Sequence, residues 1–193
     1  KRLERGESKA KLHWHVIRRG LVLVLLGMIF NGLLRFDFAN ARYPSVLGRI
    51  GLGYMFAGLI VLHTRPRGQF LAFVGLLCGY YAALKWIPFP DYAAGDWEPG
   101  HTLSGYIDRK LIPGTLYEGV RDPEGLFSTI PSIATVLSGT LAGHWLRSAR
   151  RGGSAKFLGL LAAGVTCVGL GALWSGVAIE RAGGPPVPIA INQ

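Results

Sequence analysis

What most limits the fold of this chain is where its charges are missing. Among its 193 residues, five runs (20–34, 45–62, 70–87, 126–146 and 157–177) hold only Arg49 and Lys85 as charged side chains. A hydrocarbon core about 30 Å thick takes about 20 mostly apolar helical residues to cross. The first run is short, and Val16 and Ile17 extend it while Arg18 and Arg19 snorkel to the headgroups. Lipid offers the backbone no hydrogen-bonding partners, and the even alternation of a membrane barrel strand is missing. The expected class is therefore all-α, a polytopic helical membrane bundle with about five spans. A hydrophobic share of 50%, a charged share of 17% and a mean hydropathy of +0.32 fit that class better than a soluble domain.

The connectors alternate in charge. Lys1, Arg2, Arg5, Lys9, Lys11, Arg18 and Arg19 outweigh Glu4 and Glu7 before the first span; Arg65 and Arg67 follow the second, and Arg147, Arg150, Arg151 and Lys156 follow the fourth. The long connector 88–125 carries Asp91, Asp96, Glu98, Asp108, Glu118, Asp122 and Glu124 against Arg109, Lys110 and Arg121. The positive-inside rule then places 1–19, 63–69 and 147–156 in the cytoplasm and 35–44, 88–125 and 178–193 outside. Trp86, Tyr92, Trp97 and Trp174 suit the outer aromatic belt and Trp145 the inner boundary. One membrane domain over 1–193 is the simplest count, with the lipid bilayer as partner and a homo-oligomer left open. The same bias accounts for the net charge of +10, so no nucleic-acid partner is expected. Cys78 and Cys167 lie in apolar runs without metal or redox spacing and are expected to be buried and inert. No cleavable signal peptide is visible, because the first residues are basic and polar.

Polar residues inside the spans carry the functional reading. Arg49 sits about 7 Å into the second span by helical rise, where it either snorkels outward or serves a site. Gly53 and Ala57 follow it at helical spacing, and Ser45, Gly48 and Gly51 form a small-residue row suited to helix packing. Ser128, Ser132, Thr135, Gly139 and Gly143 make a similar stripe on the fourth span, and Asn31 ends the first. Asp122-Pro123-Glu124 reads as an ordinary helix start, with Asp as N-cap and Pro at the first position, or as a carboxylate pair at the membrane boundary. His101 is the one outer histidine and reads first as a solvated loop residue. No metal cluster, phosphate-cradling loop or nucleophile elbow is expected.

Three stretches, in order, resemble one family. Residues 42–51 (RYPSVLGRIG), 104–109 (SGYIDR) and 122–133 (DPEGLFSTIPSI), followed by Leu141-Ala142-Gly143, are similar to the motifs of the heparan-α-glucosaminide N-acetyltransferase family and its bacterial relatives. The resemblance implies a polytopic enzyme that takes acetyl-CoA from the cytosol and acetylates a terminal glucosamine on the far side, here in a bacterial inner membrane. It implies a catalytic histidine upstream of Lys1, not His101, and chain ends that look cut short, residues 186–193 beginning a further motif. Arg49, whose fork matches phosphate geometry, is the candidate for holding acetyl-CoA, with Asn31, Ser128 and Ser132 beside it. Asp122 and Glu124 would orient the histidine or the amino-sugar acceptor, and Tyr106, Asp108 and Arg109 would shape the substrate loop. A transporter or a non-catalytic helical bundle is the alternative reading.

Overall fold

A computed structural model describes residues 8–90, 94–98, 100–117, 119–148 and 152–182, with side chains as far as residue 173. Tyr92, Asp91, Glu118, Arg150, Arg151, the first seven residues, the Trp174 side chain and the segment 183–193 lie outside that description. The described residues are all-α, with six helices. They are α1 (Lys9–Phe30), α2 (Val46–His63), α3 (Pro66–Trp86), α4 (Leu103–Leu111), α5 (Thr129–Arg147) and α6 (Gly153–Ala182). The chain forms two compact units, Lys1–Leu141 and Ala142–Gln193.

Local chemistry sets most helix starts. The hydroxyls of Ser8, Ser45 and Thr102 accept from the backbone N–H groups of Lys11, Gly48 and Gly105, so α1, α2 and α4 are N-capped. Pro66 opens α3, where a missing N–H costs nothing. Gly32, at φ +97°, ends α1 in the left-handed region that glycine occupies without strain.

In the first unit α1 and α2 pack antiparallel through small residues. A Cβ added to Gly51 would lie 2.6 Å from the Gly20 carbonyl, and one added to Gly27 would lie 2.0 Å from the Ser45 hydroxyl. Without a hydrophobic drive inside lipid, such backbone approach is what holds helices together, so the Ser45, Gly48, Gly51 row does pack. Opposite it, Gly53 lies against the Ser132 backbone of α5, and Ala57 is buried with Ile133 and Leu137. Outside this core, α4 seats Leu103 on Leu84 and Phe89, with Phe127 beside them.

Four helices are long and apolar enough to cross a membrane by length and composition: Lys9–Phe30, Val46–His63, Pro66–Trp86 and Gly153–Leu173. Leu21, Leu25, Phe70, Leu71, Phe157 and Val168 are among their exposed side chains. Faces so apolar are stable in lipid and a liability in water. The chain is a multi-pass membrane protein.

The remaining expected span, α5, is a 19-residue helix that is not among those four. Its Ser, Thr, Pro and His residues dilute its hydropathy. Thr135, Ser138 and Thr140 donate to the carbonyls of Pro131, Thr135 and Val136, which satisfies the hydroxyls within the helix. In the second unit, Trp145 Nε1 donates to the Lys156 carbonyl and its ring covers Gly159 at the start of α6. Cys78 and Cys167 depart from expectation. Both are free and exposed, because apolar runs in a membrane helix present side chains to lipid as readily as to a core.

Candidate active site

One end of the first unit is built around Arg42, to which the sequence reading gave no role of its own. Its Nε donates to Asp122 Oδ2 at 2.8 Å, and its Nη2 donates to Asp122 Oδ1 at 2.7 Å and also to Glu124. The guanidinium lies 4.7 Å from the centre of the Tyr117 ring. Backbone pairing brings these segments together. Arg42 bridges Gly114 antiparallel, and Thr115 N–H donates to the Ala41 carbonyl. Gly114 stands at φ +77°, and a Cβ there would sit 2.0 Å from the Ala41 carbonyl, so only glycine fits the crossing. A cation three residues ahead of the Ser45 cap, on the side the charge pattern assigns to acids, was the available sign that a partner was needed.

Asp122 does not cap a helix. Its Oδ1 accepts from Glu124 N–H, an Asx turn, and residues 123–128 continue as turns until α5 opens at Thr129. Tyr117 N–H adds a bond to Oδ2. Burial alone would push this carboxyl up, but the Arg42 fork and the two backbone N–H groups outweigh it and hold the acid below the usual carboxylate range. With four donors on two oxygens, Asp122 is an anchor for Arg42 and for the turn around it. Glu124 accepts from Arg42 Nη2, and its side chain is 18% exposed.

Arg49 is turned across to α5 and to the turn that precedes it. Its Nε donates to Ser132 Oγ, Nη1 to the Pro123 carbonyl at 2.9 Å and Nη2 to the Ser128 carbonyl at 3.2 Å. Three of its five N–H donors are thus engaged. Ser128 Oγ donates to the carbonyls of Pro123 and Gly125, and Asn31 Nδ2 donates to the Pro44 carbonyl at 2.6 Å. Arg49, Ser128 and Ser132 are brought together; Asn31 serves the turn before α2.

Of the expected substrate loop, residues 104–109 fall on α4, whose inner face buries Asp108 to 1% exposure. Its Oδ1 accepts from Leu126 N–H at 2.9 Å. Burial raises the Asp108 carboxyl above its ordinary value, opposed by the Leu126 and Phe127 N–H groups. Arg109 donates to the carbonyls of Gly100 and Val120, and Tyr106 packs on Phe89 at 5.4 Å between ring centres. Asp108 and Arg109 thus tie α4 to the segment that leads into α5, and Tyr106 ties it to the loop after α3. His101 Nδ1 lies 3.2 Å from Asp96 and 3.3 Å from Glu98, so three groups with metal-ligating atoms converge in this loop.

Beside Arg42 opens a cleft of about 440 Å³ whose lining includes Met28, Tyr43, Arg49, Leu52, Glu124 and Thr129. Arg49 and Glu124 thus both contribute to the wall of one mostly apolar hollow. Comparison with known proteins bears on what that hollow serves. The chain is distantly homologous to heparan-alpha-glucosaminide N-acetyltransferase of Mus musculus. The two are 27% identical over 195 residues, which cover 75% of this chain and 29% of the mouse protein. The chain thus spans under a third of the length of the curated relative it matches. No family model matches it.

Proposed function

We propose that this chain forms the acceptor-side part of a membrane-embedded N-acetyltransferase that moves an acetyl group from acetyl-CoA to a glucosamine-like amino sugar. In this reading 1–19, 63–69 and 147–156 are cytoplasmic, 35–44, 88–125 and 178–193 are outside, and the whole is one membrane domain of a bacterial inner membrane. The observation that carries it is the cleft with Glu124 and Arg49 on its wall, read with the distant similarity to a named acetyltransferase.

Acetyl transfer forms a C–N bond and breaks a C–S bond. The amine loses a proton, the thiolate of CoA leaves and takes one up, and a negative oxygen develops in between. Glu124 would orient the amine or a histidine that the resemblance assigns to no residue of this chain. The two N–H donors of Arg49 not directed to Ser132, Pro123 and Ser128 supply the oxyanion or the acyl end of acetyl-CoA with positive charge. Asn31, Ser128 and Ser132 keep that wall in register, and Asp122 fixes Arg42. Tyr106, Asp108 and Arg109 support the loop over which the sugar arrives.

The test is acetyl transfer by sealed membranes carrying the full-length protein, with labelled acetyl-CoA outside and glucosamine within. Glu124→Gln is expected to lower kcat by about 100-fold, the low end of an acid–base contribution, with a smaller loss of thermal stability than Asp122→Asn. Asp122→Asn is expected to lower activity and stability together. Wild-type turnover in Glu124→Gln would remove the carboxylate from the reaction, and release of the loaded sugar without acetylation would replace the enzyme with a transporter.

A further inference from the structure

A second hollow opens at the opposite end of the α1–α2 pair. About 520 Å³ in volume, it is lined by His15, Arg18, Arg19, Val22, Leu23 and Tyr54. Its depth follows from the register of the two helices. His13 and His63 meet with Nε2 atoms 3.2 Å apart where α2 ends, and a Cβ added to Gly58 would touch Val16 one turn further in. Arg18 and Arg19 follow His13 by five and six residues, so their Cα atoms lie about 8 Å deeper along the helix than that contact. Arg65 and Arg67, at the start of α3 just after His63, mark the surface level.

Two guanidiniums based that deep need an anion or must reach back toward water. Among the described residues neither Arg18 nor Arg19 has an ion-pair partner, and both are exposed. Long side chains on a helix lean toward its N-terminus, which carries these two cations to the phosphate layer. Along α1 the lining changes from Arg18 and Arg19 to Val22 and Leu23, cationic near the surface and apolar toward the centre. A phospholipid in that leaflet has the same order, phosphate first and acyl chain after.

We infer that this hollow is a binding site for an anionic phospholipid. Its phosphate sits between Arg18 and Arg19, and the start of an acyl chain lies along Val22 and Leu23. The occupant is a lipid and not a soluble phosphate ester, because the cleft continues into an apolar wall whose neighbours Leu21, Leu25 and Leu26 are themselves exposed.

Native mass spectrometry of the full chain, purified in detergent and titrated with phosphatidylglycerol or phosphatidylcholine, tests this. One phosphatidylglycerol is expected to be retained in preference to phosphatidylcholine. Arg18→Gln with Arg19→Gln is expected to weaken it by about thirtyfold, near the value of two cations at a lipid surface. Lys11→Gln, on the same helix but outside the hollow, should change it little. Equal retention of the two lipids by the unaltered protein would overturn the assignment without relying on any variant. An equal loss in Lys11→Gln would reduce the effect to general charge, and displacement of the lipid by CoA would give the hollow to the cofactor.

Discussion

Arg42→Ala is expected to destabilise the protein by about 3 kcal/mol, toward the lower end of what breaking a buried ion pair costs. The Asp122 side chain is fully buried, and truncating Arg42 leaves its charge with only the Tyr117 and Glu124 N–H groups. For a chain of this size, the midpoint of thermal unfolding in detergent should fall by about 6 to 12 °C. Arg42→Lys should recover little, because one ammonium cannot reproduce a fork that serves Asp122 from Nε and Nη2 and Glu124 from Nη2. Arg42→Ala combined with Asp122→Ala should cost less than the sum of the two single changes. A loss under about 1 kcal/mol for Arg42→Ala would reduce the pair to the value of a solvated surface bridge.

The second large effect is expected at Gly125. An added Cβ would lie 1.9 Å from Asp108 Oδ2 and 2.4 Å from its Cγ, so the carboxylate must leave its place. Overpacking and loss of a buried hydrogen bond together set the cost of Gly125→Ala at about 3 kcal/mol. In a background of Asp108→Ala the same change should cost much less, since the obstructing atoms are gone. Gly139→Ala is the control: nothing among the described residues lies within 4 Å of its added Cβ, and it should gain a few tenths of a kcal/mol from helix propensity. Equal midpoints for the Gly125 and Gly139 variants would contradict the packing described at Asp108.

The contrast between these residues marks what the sequence could reveal. Helix positions followed from apolar runs, because a membrane helix satisfies its own backbone and needs little beyond length and composition. The α2 row of Ser45, Gly48 and Gly51 was legible for a similar reason, since small residues at helical spacing have few uses other than close approach. The carboxylates were harder. Asp122 looked like an N-cap beside Pro123, and nothing local reveals that an arginine 80 residues away takes its side chain. Asp108 lay in a segment read as a loop. The spacing of Leu103, Tyr106 and Ile107 was the sign of a short amphipathic helix that turns the acid inward. Arg49 was found as a polar residue in an apolar run, but its three acceptors, two of them backbone carbonyls in irregular turns, have no sequence pattern.

The account as a whole depends on the Arg42 assembly and the Lys11 end of α1 lying on opposite faces of a bilayer. The direct measurement is labelling of single cysteines in sealed, oriented vesicles by a membrane-impermeant maleimide, with Cys78 and Cys167 first changed to serine. Thr115→Cys should react only from the outer side and Lys11→Cys only from the cytoplasmic side. Reaction of both from the same side would contradict the account.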